Sequence, residues 1–173
     1  MTQAEVGPSC RYNPVLIMSI INRVERLAAR QRDAALDYIA LVPGPNMLYF
    51  TGAPMLHVSE RPTVALLPAA AGARPFVFLP GFEAGKFLAG SALNWDARTY
   101  EDGVDYQSAF AAALGEIAAP GRPIRIGVEP VAARFLEIDL LAHALPNATL
   151  VSAAAQIDAM RVIKDTSEVE AMR

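Results

Sequence analysis

The stretch Asp37-Tyr38-Ile39-Ala40-Leu41-Val42-Pro43-Gly44-Pro45 decides the fold. A short apolar run of strand length is stopped by Pro-Gly-Pro, which cannot extend a ladder and turns the chain. Just before it, Ile20, Val24, Leu27, Ala28 and Gln31 recur at helical spacing, apolar apart from the glutamine. Asn22, Arg23, Arg26 and Arg30 fall mostly on other faces of the same turns. An amphipathic helix from about Ser19 to Ala34 therefore feeds directly into a strand. The prolines of the Pro-Gly-Pro-Asn segment read as a loop in which Asn46 caps a short turn. Tyr49 then packs on the sheet, with its hydroxyl finding a partner.

Working outward, strand-like runs follow at residues 63–67, 74–79, 95–100, 124–128 and 149–151, with helical patterns at 82–88, 105–117 and 131–145. The first two runs sit close together, with Ala-Ala-Ala-Gly-Ala (residues 69–73) between them after Pro68, and predict an antiparallel hairpin. The later runs alternate with helices and predict mostly parallel pairing. Asp105 is placed to cap the helix carrying Phe110, Leu114 and Ile117. Phe135, Ile138, Leu141 and Leu145 form the stripe of the next one. These patterns together predict an α/β domain, a mixed β-sheet of about six strands flanked by helices on both faces. Residues 1–17 show no period and carry two prolines, which reads as an arm. Residues 153–163 read as a helix. A new one then starts at Asp165, with Glu168 spaced to close a capping box. A helix so carefully begun and so short predicts that the polypeptide continues past Arg173.

Composition narrows the function. Apolar residues make up 53% and charged residues 19% of the 173, a globular balance. The net charge is −3, and the densest basic run, Arg23 to Arg32, is interrupted by Glu25 and reads as a solvated helix face. Nucleic-acid binding, which needs a basic footprint, is not expected. The apolar run 15–21 is too short to span a bilayer and no cleavage site follows it, so a cytoplasmic protein without a membrane partner is expected. The single cysteine, Cys10, cannot build a disulfide framework. His57 and His143 are the only histidines, and no His-Glu-x-x-His spacing occurs. Asp139 and His143 are four apart and predict a helix-surface contact. Trp95 reads as a partly buried aromatic. Ser9, Ser59 and Ser152 lack a nucleophile elbow.

Four stretches, taken in order, resemble the amino-terminal domain of the creatinase, prolidase and aminopeptidase P family. The first is residues 36–42 followed by Asn46-Met47-Leu48-Tyr49-Phe50-Thr51-Gly52. Next come Glu60-Arg61-Pro62 before the hairpin with Leu79-Pro80 after it, and Ile126-Gly127-Val128-Glu129. The last, residues 160–173, is similar to the family's linker into its catalytic domain. The chain departs from the family in lacking the glycine often found before Asp37, and in having Phe50 and Ala53 where a leucine and an aromatic are usual.

The resemblance implies a ribonuclease H-like amino-terminal domain over residues 19–160, after an arm at 1–18, with 161–173 leading into a pita-bread catalytic domain of the same chain. It further implies a homodimer acting on short proline-containing peptides. Two divalent metal ions (manganese, cobalt or zinc) would be held by the catalytic half, so the residues present would be inactive alone. A creatinase-like hydrolase that is not a peptidase, and a stand-alone small-molecule-binding module, are the rival readings. Loops from such domains border the active site of the partner subunit in the family. His57, Glu60, Arg61 and Tyr49 are accordingly the substrate-cleft candidates. Arg61 has the fork that suits a substrate carboxylate, against the plainer reading of the segment as a solvated loop.

Overall fold

The computed structural model describes residues 14–55, 59–115 and 122–173. Cys10, His57, Ile117 and most of the expected arm lie outside the described residues. Helix α1 (Pro14–Asp33) leads into strand β1 (Tyr38–Leu41). Its described residues start at Pro14, so the helix is already formed ahead of the Ser19 start expected from periodicity. The link between α1 and β1 is tight. Ala35 takes a left-handed conformation (φ 52°), two residues before Asp37.

Beyond β1, the expected loop is instead a two-turn helix, α2 (Pro45–Thr51), closed by left-handed Gly52 (φ 78°). Strand β1 is over before Pro43-Gly44, and Pro45 occupies the first helical position, where its missing N–H needs no partner. Met47 and Phe50, three apart, are fully buried on its inner side. Then come β2 (Val64–Pro68), β3 (Phe76–Pro80) and α3 (Gly81–Ala89), followed by β4 (Asp96–Tyr100) and α4 (Tyr106–Gly115). The chain continues with β5 (Ile124–Val128), α5 (Phe135–Ala144) and β6 (Ala148–Ser152). It finishes with α6 (Ala154–Val162) and α7 (Thr166–Ala171).

The six strands form one mixed sheet in the order β4-β3-β2-β1-β5-β6. β2 is antiparallel to both its neighbours, and the remaining pairs are parallel, so five strands point one way. Alternation along the strands sorts the core into two layers. Ile39, Leu41, Leu67, Val77 and Leu79 face Leu27, Met47, Phe50, Phe87, Ile157 and Met160 of α1, α2, α3 and α6. Val64, Leu66, Phe76, Phe78, Ile126 and Val128 face Phe110, Leu114, Leu140 and Leu141 of α4 and α5. The mixed sheet with helices on both faces is thus observed. Gly127 sits where β5 passes beneath α6: a Cβ there would lie 2.9 Å from the Ala153 Cβ and 3.0 Å from Leu36 Cδ1, so only glycine fits without movement.

Two expectations need correction. Helix α5 begins at Phe135, not near Val131, and Phe135 is 82% exposed instead of belonging to the buried stripe; Leu140, Leu141 and Leu145 take that role. Arg23 is not on a solvated face. It is buried, because α7 packs its carboxylates against that side of α1.

Candidate functional site

Five strands end at one edge of the sheet, and β2 begins there. In open α/β sheets this edge, beyond the strand carboxyl ends, is where loops gather groups for recognition. The segment Ser59-Glu60-Arg61-Pro62 crosses it on the way to β2. Three ties hold the segment in place. The Arg61 guanidinium makes a two-pronged contact with Asp102, Nε to Oδ1 at 2.6 Å and Nη2 to Oδ2 at 2.9 Å. The Tyr100 hydroxyl donates to the Pro62 carbonyl at 3.0 Å, and Arg134 Nη1 donates to the Ser59 carbonyl at 2.6 Å.

Both arginines are themselves steadied. Arg61 Nη1 reaches Glu60 Oε1 at 2.5 Å, and its guanidinium lies 5.4 Å from the Phe82 ring centroid. Arg134 is paired with Glu137, a carboxylate that is buried and also accepts from the Arg134 backbone N–H at 2.9 Å. The hydrogen bonds from Arg61 hold the Asp102 carboxyl below the usual carboxylate range, and donating the same bonds to Asp102 raises the Arg61 value. Burial pushes the Tyr100 phenol well above its ordinary value, so it stays a donor. Around this charged centre the apolar side chains stand open: Phe82 is 65% exposed, and Val131 and Phe135 more so. Together they make a charged patch rimmed by aromatic and branched apolar groups, a composition suited to contact with another protein surface or a peptide.

Of the candidates read from sequence, Glu60 and Arg61 lie together at this edge, Arg61 with its fork directed at Asp102. Tyr49 lies elsewhere, half-buried between α1 and α6, its hydroxyl donating to the Met160 carbonyl at 3.0 Å. Burial raises its phenol value. Asn46 does not cap its helix; its Nδ2 donates to Glu129 Oε1 at 2.6 Å, while Arg161 donates to its Oδ1 at 2.8 Å. Trp95 is buried with its indole N–H on Ser91 Oγ at 2.7 Å, and Asp139 meets His143 at 3.2 Å. Asp105 caps α4, accepting from the Gln107 N–H at 3.0 Å. Sequence reasoning missed Asp102, Arg134 and Glu137. The Arg134-x-x-Glu137 spacing is a helix-start signal that was available; Asp102 shows no local one.

The described residues contain no group of three or more His, Cys, Asp or Glu side chains placed to hold a metal ion. At this edge Glu60 and Asp102 are paired with Arg61 and Glu137 with Arg134, and the two-metal centre that the resemblance implies belongs to the catalytic half. No helix among the described residues is long and apolar enough to cross a membrane.

Residues 23–163 match the model of the creatinase/prolidase N-terminal domain, and the chain belongs to that family. Among solved structures it is similar to the dipeptidase PepE from Mycobacterium ulcerans, at 29% identity and a TM-score of 0.71, over 90% of this chain and 40% of that one. It shares its fold with a prolidase from Thermococcus sibiricus at 18% identity and a TM-score of 0.75, covering 88% of this chain and 39% of that one. The same holds for the N-terminal domain of the cytoplasmic peptidase PepQ from Mycobacterium tuberculosis H37Rv, at 21% identity and a TM-score of 0.59, over 81% and 98% of the two chains. The chain thus spans about two-fifths of the length of the dipeptidase and the prolidase. No curated protein matches it.

Proposed function

We propose that this chain is the non-catalytic amino-terminal domain of a metal-dependent Xaa-Pro peptidase, prolidase-like or aminopeptidase P-like, working in the cytoplasm as a homodimer. The family match over residues 23–163 carries this reading. The similarity to dipeptidases and prolidases of more than twice the length supports a pita-bread catalytic domain in the same polypeptide. That domain would hold two divalent metals, manganese, cobalt or zinc, which supply an activated water for amide hydrolysis.

The part assigned to the present residues is shape and charge at the cleft. Glu60, Arg61 and Asp102 form the charged centre of the wall, Phe82 and Phe135 its apolar rim, and His57 belongs to the same stretch of sequence. A wall near the reacting bond limits substrate length and excludes water, which separates a dipeptidase from an aminopeptidase. Because Asp102 and Glu60 already occupy the Arg61 fork, Arg61 works by holding the wall, and free donors for a substrate carboxylate come from elsewhere in the cleft. Tyr49, whose hydroxyl is engaged at Met160, is assigned to holding α6.

The test is the polypeptide extended through its downstream coding sequence, assayed against Xaa-Pro dipeptides with each metal. Metal-stimulated cleavage is expected from the extended chain and none from the 173 residues alone. Inertness of the extended chain towards all Xaa-Pro substrates, or turnover by the 173 residues alone, would overturn the assignment. A His57→Ala change in the extended chain should raise KM more than it lowers kcat.

A further inference from the structure

Helices α1, α2 and α7 converge on one buried guanidinium. Arg23, on α1, is 7% exposed. Its Nη1 donates to the Tyr49 carbonyl at 3.2 Å, and its guanidinium lies 4.4 Å from the Tyr49 ring centroid, both on α2. Its Nη2 lies 3.4 Å from Asp165 Oδ2 and 3.8 Å from Glu168 Oε1. One turn earlier on α1, Ser19 Oγ donates to the same Asp165 oxygen at 3.1 Å. Asp165 and Glu168 are also the two halves of the α7 capping box, accepting from each other's backbone N–H groups at 2.8 and 2.9 Å.

The other side of α7 makes this arrangement informative. None of its described side chains is buried, and Met172, just past its end, is 64% exposed. Among the described side chains, the contacts holding α7 on the domain are polar, to Ser19 and Arg23 of α1 and from Glu168 to Tyr49 of α2. A buried cation facing two carboxylates is strongly directional, since breaking it leaves a desolvated charge unpaired. The matched family domain ends at residue 163, just short of Asp165, so these contacts reach from the domain onto the segment that follows it.

We propose that Arg23, assisted by Ser19, is a positioning residue: an electrostatic latch that sets the direction in which α7 leaves the domain, and hence the placement of the polypeptide beyond it. That the polypeptide beyond is a catalytic domain rests on the reading above; the latch itself does not. Packing alone would let α7 swing, whereas two carboxylates on one guanidinium, steadied from behind by the Tyr49 ring, select one direction.

The experiment uses the 173-residue chain with Cys10→Ser and spin labels at Thr99→Cys and Glu170→Cys, both exposed positions. The latch predicts a single narrow inter-label distance. Asp165→Asn with Glu168→Gln keeps both capping partners chemically competent but removes their charges. This pair of changes should broaden the distance distribution at least twofold and speed exchange of the α7 amides about tenfold, while the β1 amides keep their original rates. Arg23→Leu should do the same; if it does not fold, the neutralised pair alone decides. An unchanged narrow distribution in the folded, neutralised chain overturns the latch, as does equal acceleration of the β1 and α7 amides. No peptidase activity enters either measurement, so failure of the latch and failure of the peptidase reading are told apart.

Discussion

Replacing Glu129 by glutamine tests how the ends of β1 and β5 are joined to α2. The carboxylate is buried, and each oxygen accepts a donor: the Val42 N–H at 2.9 Å on Oε2, and Asn46 Nδ2 at 2.6 Å on Oε1. Glutamine offers one acceptor and sets an NH2 group against the other donor. Turning the Asn46 amide is no remedy, since it would point its NH2 at Arg161, which now donates to Asn46 Oδ1 at 2.8 Å. One buried donor is therefore left unmatched, at a cost of about 1–3 kcal/mol. A chain of this size loses about 2–4 °C of melting temperature per kcal/mol, so the centre of the range corresponds to roughly 6 °C.

The pH dependence separates this account from simple loss of a contact. Burial raises the Glu129 value above 4.5, opposed by the Val42 N–H, Asn46 and Arg161. A carboxyl whose folded value is raised binds more protons folded than unfolded, so its contribution favours the fold at low pH. That contribution is lost as pH rises from the unfolded value through the folded one. Glutamine cannot titrate, so the deficit of Glu129→Gln should shrink as pH climbs through this window. Thermal and urea melts of both proteins across the window provide the assay. A variant as stable as the original at low pH, or a deficit that grows with pH, refutes the reasoning.

Three further outcomes follow from single positions. Ala35→Gly should stabilise the chain by about 0.5–1 kcal/mol, because relief of the left-handed alanine (about 1–2 kcal/mol) exceeds the added entropy of the unfolded glycine (about 0.4–1 kcal/mol); a lower urea midpoint would contradict it. Gly127→Ala should destabilise by about 1–3 kcal/mol through overpacking against Ala153 and Leu36, read as a lower denaturation midpoint with an unchanged slope. The Asp102 carboxyl, followed by NMR, should titrate below its ordinary 3.8 and return towards it in Arg61→Gln, since the hydrogen bonds from Arg61 are the main cause of the shift. The stability Asp102 contributes through Arg61 is present above that ordinary value and lost as pH falls through the lowered one. An Asp102 titration unaffected by Arg61→Gln would show that the pair does not form in solution.

Most of the framework was legible locally. Periodicity located the six strands and the main helices because burial on a sheet or helix face leaves a repeat of two or of about 3.6 in the side chains. The Asp165–Glu168 capping box was legible for a similar reason: its partners sit three residues apart. Helix α2 was hidden by Pro43-Gly44-Pro45, which reads as a break although its last proline fits a first helical turn; the buried pair Met47 and Phe50 was the available clue. The α5 stripe failed at Phe135 because a helical repeat gives the apolar face but not how far the sheet beneath it extends.

The linear order of residues was enough for the family resemblance, the six-stranded α/β architecture and the exposed Glu60-Arg61 segment, all properties of neighbours within a few turns. Only the folded chain could show that Arg61 closes on Asp102, 41 positions away, that Arg134 grips Ser59 across 75, and that Arg23 is buried against Asp165 across 142. Opposite charges attract through space, and spacing along a sequence carries no record of which pairs the strand order will bring within hydrogen-bonding distance.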